Sequence, residues 1–379
     1  MADANIIRRA DTRHRLPLPD QVALVLQGGG ALGAYQGGVY EGLAETSIEI
    51  DWIAGISIGA INAALIAGSA PADRVASLRA FWEEVTSALP SFPMGPNEIW
   101  REAVHLMSAG FVATTGVPGF FRPRFPPPSF AAPGTPAAVS FYDSSPLVET
   151  LDRLIDWDRL NDGATRLSVG AVNVETGNLH YFDTTRERLD ARHIMASGAL
   201  PPGLPPVEID GAWWWDGGIV SNTPLSWVLD NQTEDMLLFQ VDLFPARGDI
   251  PHSLMDVYSR EKDIRYSSRT RQVTDERLKL RKERMAIATL LDKLPRELCD
   301  DAEVRALIAA SHERAVNIVH LIYRKSDWQS GNRDFEFSRA SMLHHWQEGR
   351  AAVMTTMEKD ALIASNIIDG NTASFDLAS

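Results

Sequence analysis

Cysteine is nearly absent: Cys299 is the only one in 379 residues. A lone thiol excludes an internal disulfide framework and a zinc site built on paired cysteines. Positive charge is also short, with 36 Lys and Arg against 50 Asp and Glu and a formal net charge of −14. That balance argues against nucleic acid as the main partner, because phosphate contacts demand net basic surface. Arg8, Arg9, Arg13 and Arg15 are followed by no apolar core, so no secretory leader is expected and the cytoplasm is the expected compartment. One uncharged run, Trp52 to Ala72, is long enough to cross a bilayer and carries Gly55 and Gly59 at helix-dimer spacing. Ser57, Asn62, Ser69 and Pro71 break its apolar character and basic flanks are missing. A βα unit buried in a globular core is the expected reading.

What remains is ordinary globular material, 45% apolar and 23% charged, in a length that suits about two domains. Residues 1–20 are polar and read as an arm. Val22–Leu26 and Ile48–Gly55 read as strands, and Ile58–Gly68 and Asp73–Ala88 as helices. Ten of the 22 prolines fall between Pro90 and Pro136, interleaved with Phe92, Trp100, Phe111, Phe120, Phe121, Phe125 and Phe130. Such a stretch suits either an irregular insertion packed on the core or a lid at an apolar rim. A helix over Pro146–Leu154 with Ser145 as its cap, strands at Leu167–Val174 and Leu179–Phe182, a helix over Asp190–Ser197, extended pieces at Val207–Asp210 and Ala212–Trp215, and a last strand at Met236–Leu243 complete an alternating α/β pattern over about residues 20–245. Beyond it, residues 260–284 hold ten basic and five acidic side chains, net +5, so the remainder carries −19. Leu280, Ile287, Leu291 and Leu294 fall at helical spacing there. The segment 260–294 suits a helix packed on the core, or a peripheral contact with an anionic membrane or partner.

Gly28-x-Gly30-x-x-Gly33 follows the first strand and opens a helix. By itself it fits a dinucleotide loop, with Asp51 placed 18 residues past Gly33 as a ribose-binding acid. Gly55-Ile-Ser57-Ile-Gly59 sits at a strand-to-helix junction, the setting of a nucleophile elbow. Read together, a serine nucleophile and a glycine loop of backbone donors form an acyl-transfer device. A serine hydroxyl needs a base. His180, His193 and His252 are candidates for a Ser-His-Asp triad, and Asp216-Gly217-Gly218 offers a carboxylate held in a tight turn. For Trp213-Trp214-Trp215 beside it, core packing and an acyl-pocket wall both fit.

Gly28-Gly-Gly-Ala-Leu-Gly33, Gly55-Ile-Ser-Ile-Gly59 and Asp216-Gly-Gly218, in that order, resemble the motifs of patatin-like phospholipases. The flanks Ala196-Ser-Gly-Ala-Leu-Pro201, Pro206-Val-Glu-Ile-Asp-Gly211 and Asn222-Thr-Pro224 resemble that family too. The resemblance spans residues 20–245. It implies a three-layer α/β/α sandwich with a mainly parallel sheet, and hydrolysis of fatty-acyl esters of lipids without metal or cofactor. It implies Ser57 as nucleophile, Asp216 as base in a Ser–Asp dyad, and the amides of Gly28, Gly29 and Gly30 as oxyanion hole, with Gly33, Gly55, Gly59, Gly217 and Gly218 as motif support. One position departs from the family: Leu32 stands where Arg or Lys is common, which weakens a strict phospholipid preference. The expected organisation is therefore an arm (1–20), a catalytic domain (21–245, with the insertion at 90–136) and a helical extension (246–379). The residue-level alternatives are a dinucleotide-binding protein, a Ser-His-Asp α/β-hydrolase and a non-catalytic lipid-binding protein.

Overall fold

Val22, Leu24 and Leu26 alternate with Ala23 and Val25 along the first strand, and both sets are buried, as in a parallel strand covered on both faces. The computed structural model describes residues 16–46, 48–87, 107–108, 110–311, 313–324 and 333–378. The expected arm lies outside the described residues up to residue 15, as do residues 88–106 and 109 of the Pro- and Phe-rich stretch.

The chain opens with β1 (Gln21–Leu26), α1 (Gly33–Glu45), β2 (Trp52–Gly55), α2 (Ile58–Ala67) and α3 (Arg74–Val85). A short ribbon, β3 (Arg122–Pro123) and β4 (Tyr142–Asp143), precedes α4 (Ser145–Leu154), α5 (Trp157–Asn161), β5 (Arg166–Asn173), β6 (Leu179–Asp183) and α6 (Ala191–Gly198). Next come β7 (Val207–Ile209), β8 (Ala212–Asp216), α7 (Leu225–Asp230) and β9 (Met236–Asp242). The C-terminal part supplies α8 (Leu254–Leu291), α9 (Ala302–Ser311), β10 (Val316–Ile322), α10 (Arg339–Met357), α11 (Asp360–Ile368) and β11 (Ala373–Phe375).

The main sheet runs β11-β10-β9-β1-β2-β5-β8-β7, with β6 also on β5. From β11 to β5 all neighbours are parallel, and β6, β8 and β7 pair antiparallel at the far edge. One face carries Leu24 and Leu26 against α1, α2 and α3; the other carries Ala23 and Val25 against α7 and Leu278 of α8. This is the expected mainly parallel α/β sandwich, with a mainly helical C-terminal part. The uncharged run from Trp52 is the buried unit β2–α2. Among the described residues no helix is long and apolar enough to cross a membrane.

Three local expectations change. Met236–Asp242 is not the last strand, because β10 pairs with it and β11 with β10. Ser145 is the first residue of α4 and not its cap; its amide donates to the Asp143 carboxylate at 3.1 Å. Helix α8 does not bury the stripe through Leu280 and Ile287, both 38% exposed. It buries Ser259, Asp263, Ser267, Thr274, Leu278 and Arg281, which share one face at the 3.6-residue period. The buried face is largely polar because ion pairs fix it. Lys262 meets Asp334 at 2.9 Å, Asp263 meets Arg333, and Arg281 meets Glu313 at 3.6 Å.

The C-terminal part is fused to the core at backbone level. A methyl group on Gly38 of α1 would collide with the Trp346 carbonyl of α10, and one on Gly349 with the Tyr35 carbonyl. Glycine at both positions lets the two helices touch main chain to main chain.

Candidate active site

Leu26 and Gly55 are register partners at the ends of adjacent parallel strands. The glycine loop after β1 and the turn after β2 therefore emerge side by side at the carboxyl edge of the sheet, where α/β proteins bind ligands. Within that turn, a side chain on Gly55 would strike the backbone of Gly59, and one on Gly59 would strike the Leu26 carbonyl. The Gly-x-Ser-x-Gly spacing is thus dictated by the packing of β1, β2 and α2.

Ser57 sits at the N-cap of α2 with φ 56° and ψ −124°, a conformation that costs about 1–3 kcal/mol for a non-glycine residue. The surroundings hold it there. Its amide donates to Ser197 Oγ at 3.1 Å, and Ser197 Oγ donates in turn to the Gly170 carbonyl at 2.7 Å. Its carbonyl accepts from the amides of Ala60 at 2.9 Å and Ile61 at 3.2 Å. The start of α2 favours negative charge beside the serine.

Asp216 ends β8, pairs with Ala171 of β5 and is 2% exposed. Its amide donates to the Ala199 carbonyl at 3.0 Å. Its carboxylate accepts from the Gly218 amide at 2.7 Å, and the neighbouring Ser57 hydroxyl favours its charged form. Burial raises its pKa to about 6, and Ser57 and the Gly218 amide, which favour the charged form, only partly offset it. A carboxylate poised near neutral pH beside a serine hydroxyl is equipped to take its proton.

Of the three glycines expected to supply oxyanion donors, the loop leaves two. Gly28 donates its amide to the Asn222 carbonyl at 3.1 Å, and Asn222 Nδ2 donates back to the Gly28 carbonyl at 2.8 Å. That reciprocal pair already engages the Gly28 amide, which makes Gly29 and Gly30 the freer candidates of the expected trio. Gly29 and Gly30 head a 3-10 turn, so their amides have no acceptor within it. Gln27 ties the loop to β9: its Oε1 accepts from Leu243 N at 2.6 Å, and its Nε2 donates to Thr223 at 3.0 Å.

The C-terminal part also reaches the site, which the sequence did not disclose. The Asp334 carbonyl lies directly against Gly30, where only a residue without Cβ fits at φ 55°. Tyr266 of α8 stacks on Phe244 with centroids 4.8 Å apart. Burial, then the nearby charges of Asp216 and Asp334, push its phenol pKa up. Asn222, Gln27 and Ser197 support the site without belonging to the expected set. The signal for Ser197 and Asn222 was their place in the flanking motifs; Lys262 and Asp334 had none.

The other candidates lie elsewhere. His193 accepts from the Asp190 amide in a capping box, His180 rests on Phe182 and Trp214, and His252 is exposed before α8. Asp51 stands at the start of β2, where its carboxylate accepts from Val22 N at 2.9 Å. It is one strand length from the glycine loop, so it cannot serve a ligand held there. Trp214 packs on Phe182 within the core. Among the described residues no cluster of His, Cys, Asp or Glu has the makings of a metal site.

Comparison with known proteins follows the same lines. The family model described as Patatin-like phospholipase matches residues 24–229, and a second, described as Patatin phospholipase, matches residues 264–366. No curated protein matches the chain. Among solved structures, VipD from Legionella pneumophila is 14% identical with a TM-score of 0.42, over 94% of this chain and 72% of that one. The type III effector protein ExoU is 15% identical with a TM-score of 0.32; 91% of this chain covers about half of it, 54%. ExoU in its heterodimer with SpcU from Pseudomonas aeruginosa is 18% identical with a TM-score of 0.29, over 92% and 78%. With its serine turn, aspartate turn and glycine loop converging inside the matched region, the chain belongs to the patatin-like phospholipases and is a lipid acyl hydrolase.

Proposed function

We propose that the chain cleaves fatty-acyl esters of lipids through a Ser57–Asp216 dyad and an acyl-enzyme. The observation that carries this reading is the Ser57 hydroxyl, at a strained strand-to-helix turn, set beside a buried carboxylate whose pKa is raised to about 6. Asp216 takes the Ser57 proton as Oγ attacks the ester carbonyl. The amides of Gly29 and Gly30, with the N-terminus of α2, stabilise the tetrahedral oxyanion. The proton passes from Asp216 to the leaving alcohol, the C–O bond breaks and acyl-Ser57 remains. Water, deprotonated by Asp216, then releases the fatty acid and restores Ser57.

The substrate comes from a lipid surface. The described part of the Pro- and Phe-rich stretch is anchored by Phe120 and Phe121 in an aromatic cluster with Phe81 and Tyr142, while Phe125, Phe130 and Phe141 face solvent. It is tied to the site by Phe141 N and Tyr142 N, which donate to the carbonyls of Pro202 and Gly203, just past the Ala199 that holds Asp216. Ile219 and Val220, straight after the Asp-Gly-Gly turn, are exposed apolar side chains as well. The basic residues of α8 are largely paired with carboxylates of the chain itself, as in the packed reading of that segment. Lys262, Arg265, Arg277 and Arg284 pair with Asp334, Glu261, Asp230 and Glu313.

The test is labelling with a fluorophosphonate probe alongside turnover of a chromogenic medium-chain ester. Wild type labels and turns over. Ser57→Ala loses both, Asp216→Asn loses turnover by orders of magnitude, and His→Ala changes at 180, 193 and 252 leave turnover intact. A Ser57→Ala variant that still labels stoichiometrically would refute the dyad.

A further inference from the structure

Away from the active site lies a cavity of about 210 Å³ whose wall is almost wholly polar. It is formed by the end of α7, the middle of α8 and residues 313–314 just before β10. Those elements adjoin the starts of β9 and β10, where Met236 N donates to the Ala315 carbonyl. The cavity is therefore at the amino edge of the sheet, opposite the edge that carries Ser57.

Four guanidinium groups surround it, those of Arg277, Arg281, Arg284 and Arg314, against two carboxylates, Asp230 and Glu313. Asp230 is occupied in a two-pronged pair with Arg277. Glu313 is shared, at 2.6 Å from Arg284 and 3.6 Å from Arg281. Arg314 turns to Glu234 at 3.8 Å, an exposed and loose partner. Arg281 is the centre of the cluster. Its side chain is 8% exposed, and two of its donors end on the carbonyls of Arg314 at 2.7 Å and Leu229 at 3.2 Å, which carry no charge. Burial lowers its pKa; Glu313 opposes that, and the adjacent Arg277 and Arg284 add to it. The lining thus has two more positive charges than negative ones, one of them partly offset by the loosely held Glu234, focused on a space below the usual size of a drug-sized ligand's pocket. Guanidinium forks match tetrahedral oxyanions in geometry as well as charge.

We propose that this cavity binds a phosphate-type anion, presented either as a free phosphate or pyrophosphate or as the phosphate of a lipid headgroup. The anion would supply the negative charge that Glu313 must otherwise divide between two arginines. The site is separate from the chemistry at Ser57, so its occupancy is readable without turnover.

The test is calorimetric titration of the full chain with inorganic pyrophosphate at constant ionic strength, with sodium chloride as control. Saturable binding near one equivalent is expected, weakened about tenfold or more in the Arg277→Gln/Arg314→Gln double variant, whose positions are partly exposed and spare the buried Arg281. Arg284→Gln provides a second variant if the first fails to fold. Turnover of a soluble ester stays at the wild-type level in both. Sedimentation with phosphatidylcholine vesicles, with and without phosphatidic acid, separates the sources. Binding that needs phosphatidic acid and is competed by pyrophosphate assigns a lipid headgroup; pyrophosphate binding without vesicle binding assigns a soluble ligand. Absence of both, or pyrophosphate binding that survives the substitutions, overturns the proposal.

Discussion

Asp216→Asn should abolish turnover and at the same time stabilise the fold, in a pH window that can be stated in advance. The carboxylate is completely desolvated, with a folded-state pKa of about 6 against 3.8 for the ordinary group. A raised pKa means that the folded protein prefers the protonated acid. As pH rises through about 3.8 the unfolded chain releases this proton while the folded chain holds it, so stability falls between about pH 4 and pH 6. Above pH 6 the whole penalty is present. About two units at 1.36 kcal/mol per unit give on the order of 3 kcal/mol. Asparagine is a neutral isostere that still accepts from the Gly218 amide, so it removes the charge without opening a cavity. Guanidinium chloride unfolding of both proteins should show Asp216→Asn more stable by up to about 3 kcal/mol at pH 8 and nearly equal at pH 4. Every other titrating group cancels in the difference. The same ionisation predicts that kcat/KM of the wild type rises with pH through an apparent pKa near 6 and then levels. A variant less stable than wild type at pH 8, or a difference that ignores pH, would refute the claim that burial of this charge is costly.

Ser57→Gly and Ser57→Ala should both be inactive, but glycine should be the more stable by about 1 kcal/mol in thermal unfolding, because only it relieves the strained φ of 56°. Asn222→Ala should lower kcat about tenfold or more with KM little changed, since it frees the Gly28 main chain on which the donor loop is hung. Gly38→Ala should cost several kcal/mol by chemical denaturation, because its methyl group would meet main chain of α10 and neither helix can yield cheaply. Replacing Phe125, Phe130 and Phe141 together by Ser should cut activity on lipid vesicles several-fold while leaving a monomeric short-chain ester untouched.

What could be read in advance follows from the range of the forces involved. Strands β1, β2, β5 and β9 are short and mostly apolar and helix α2 is rich in Ala and Ile, so their identity is local. The serine turn was legible for the same reason: its glycines are spaced by contacts within six residues and one neighbouring strand. The engagement of the Gly28 amide was not legible because its partner, Asn222, is 194 residues away in sequence. The apolar spacing in α8 misled because that helix is held by Asp334, Arg333, Asp230 and Glu313, and ion pairs with distant partners leave no period in the sequence.

Those ion pairs also bear on where the active site ends. The consecutive residues Lys262 and Asp263 of α8 engage the consecutive residues Asp334 and Arg333, a crossed arrangement that fixes both position and direction of the later segment. What that segment delivers is a backbone carbonyl against Gly30, the middle of the donor loop, while the same helix brings Tyr266 within the electrostatic reach of Asp216. Strand β10 lies directly beside β9, and α10 touches the main chain of α1, the helix that the glycine loop opens. The motifs that define the chemistry all fall before residue 245, yet the surfaces that hold the donor loop in place come from after it. The two parts therefore constrain one site, and a change in the later part is expected to act on catalysis chiefly through the glycine loop.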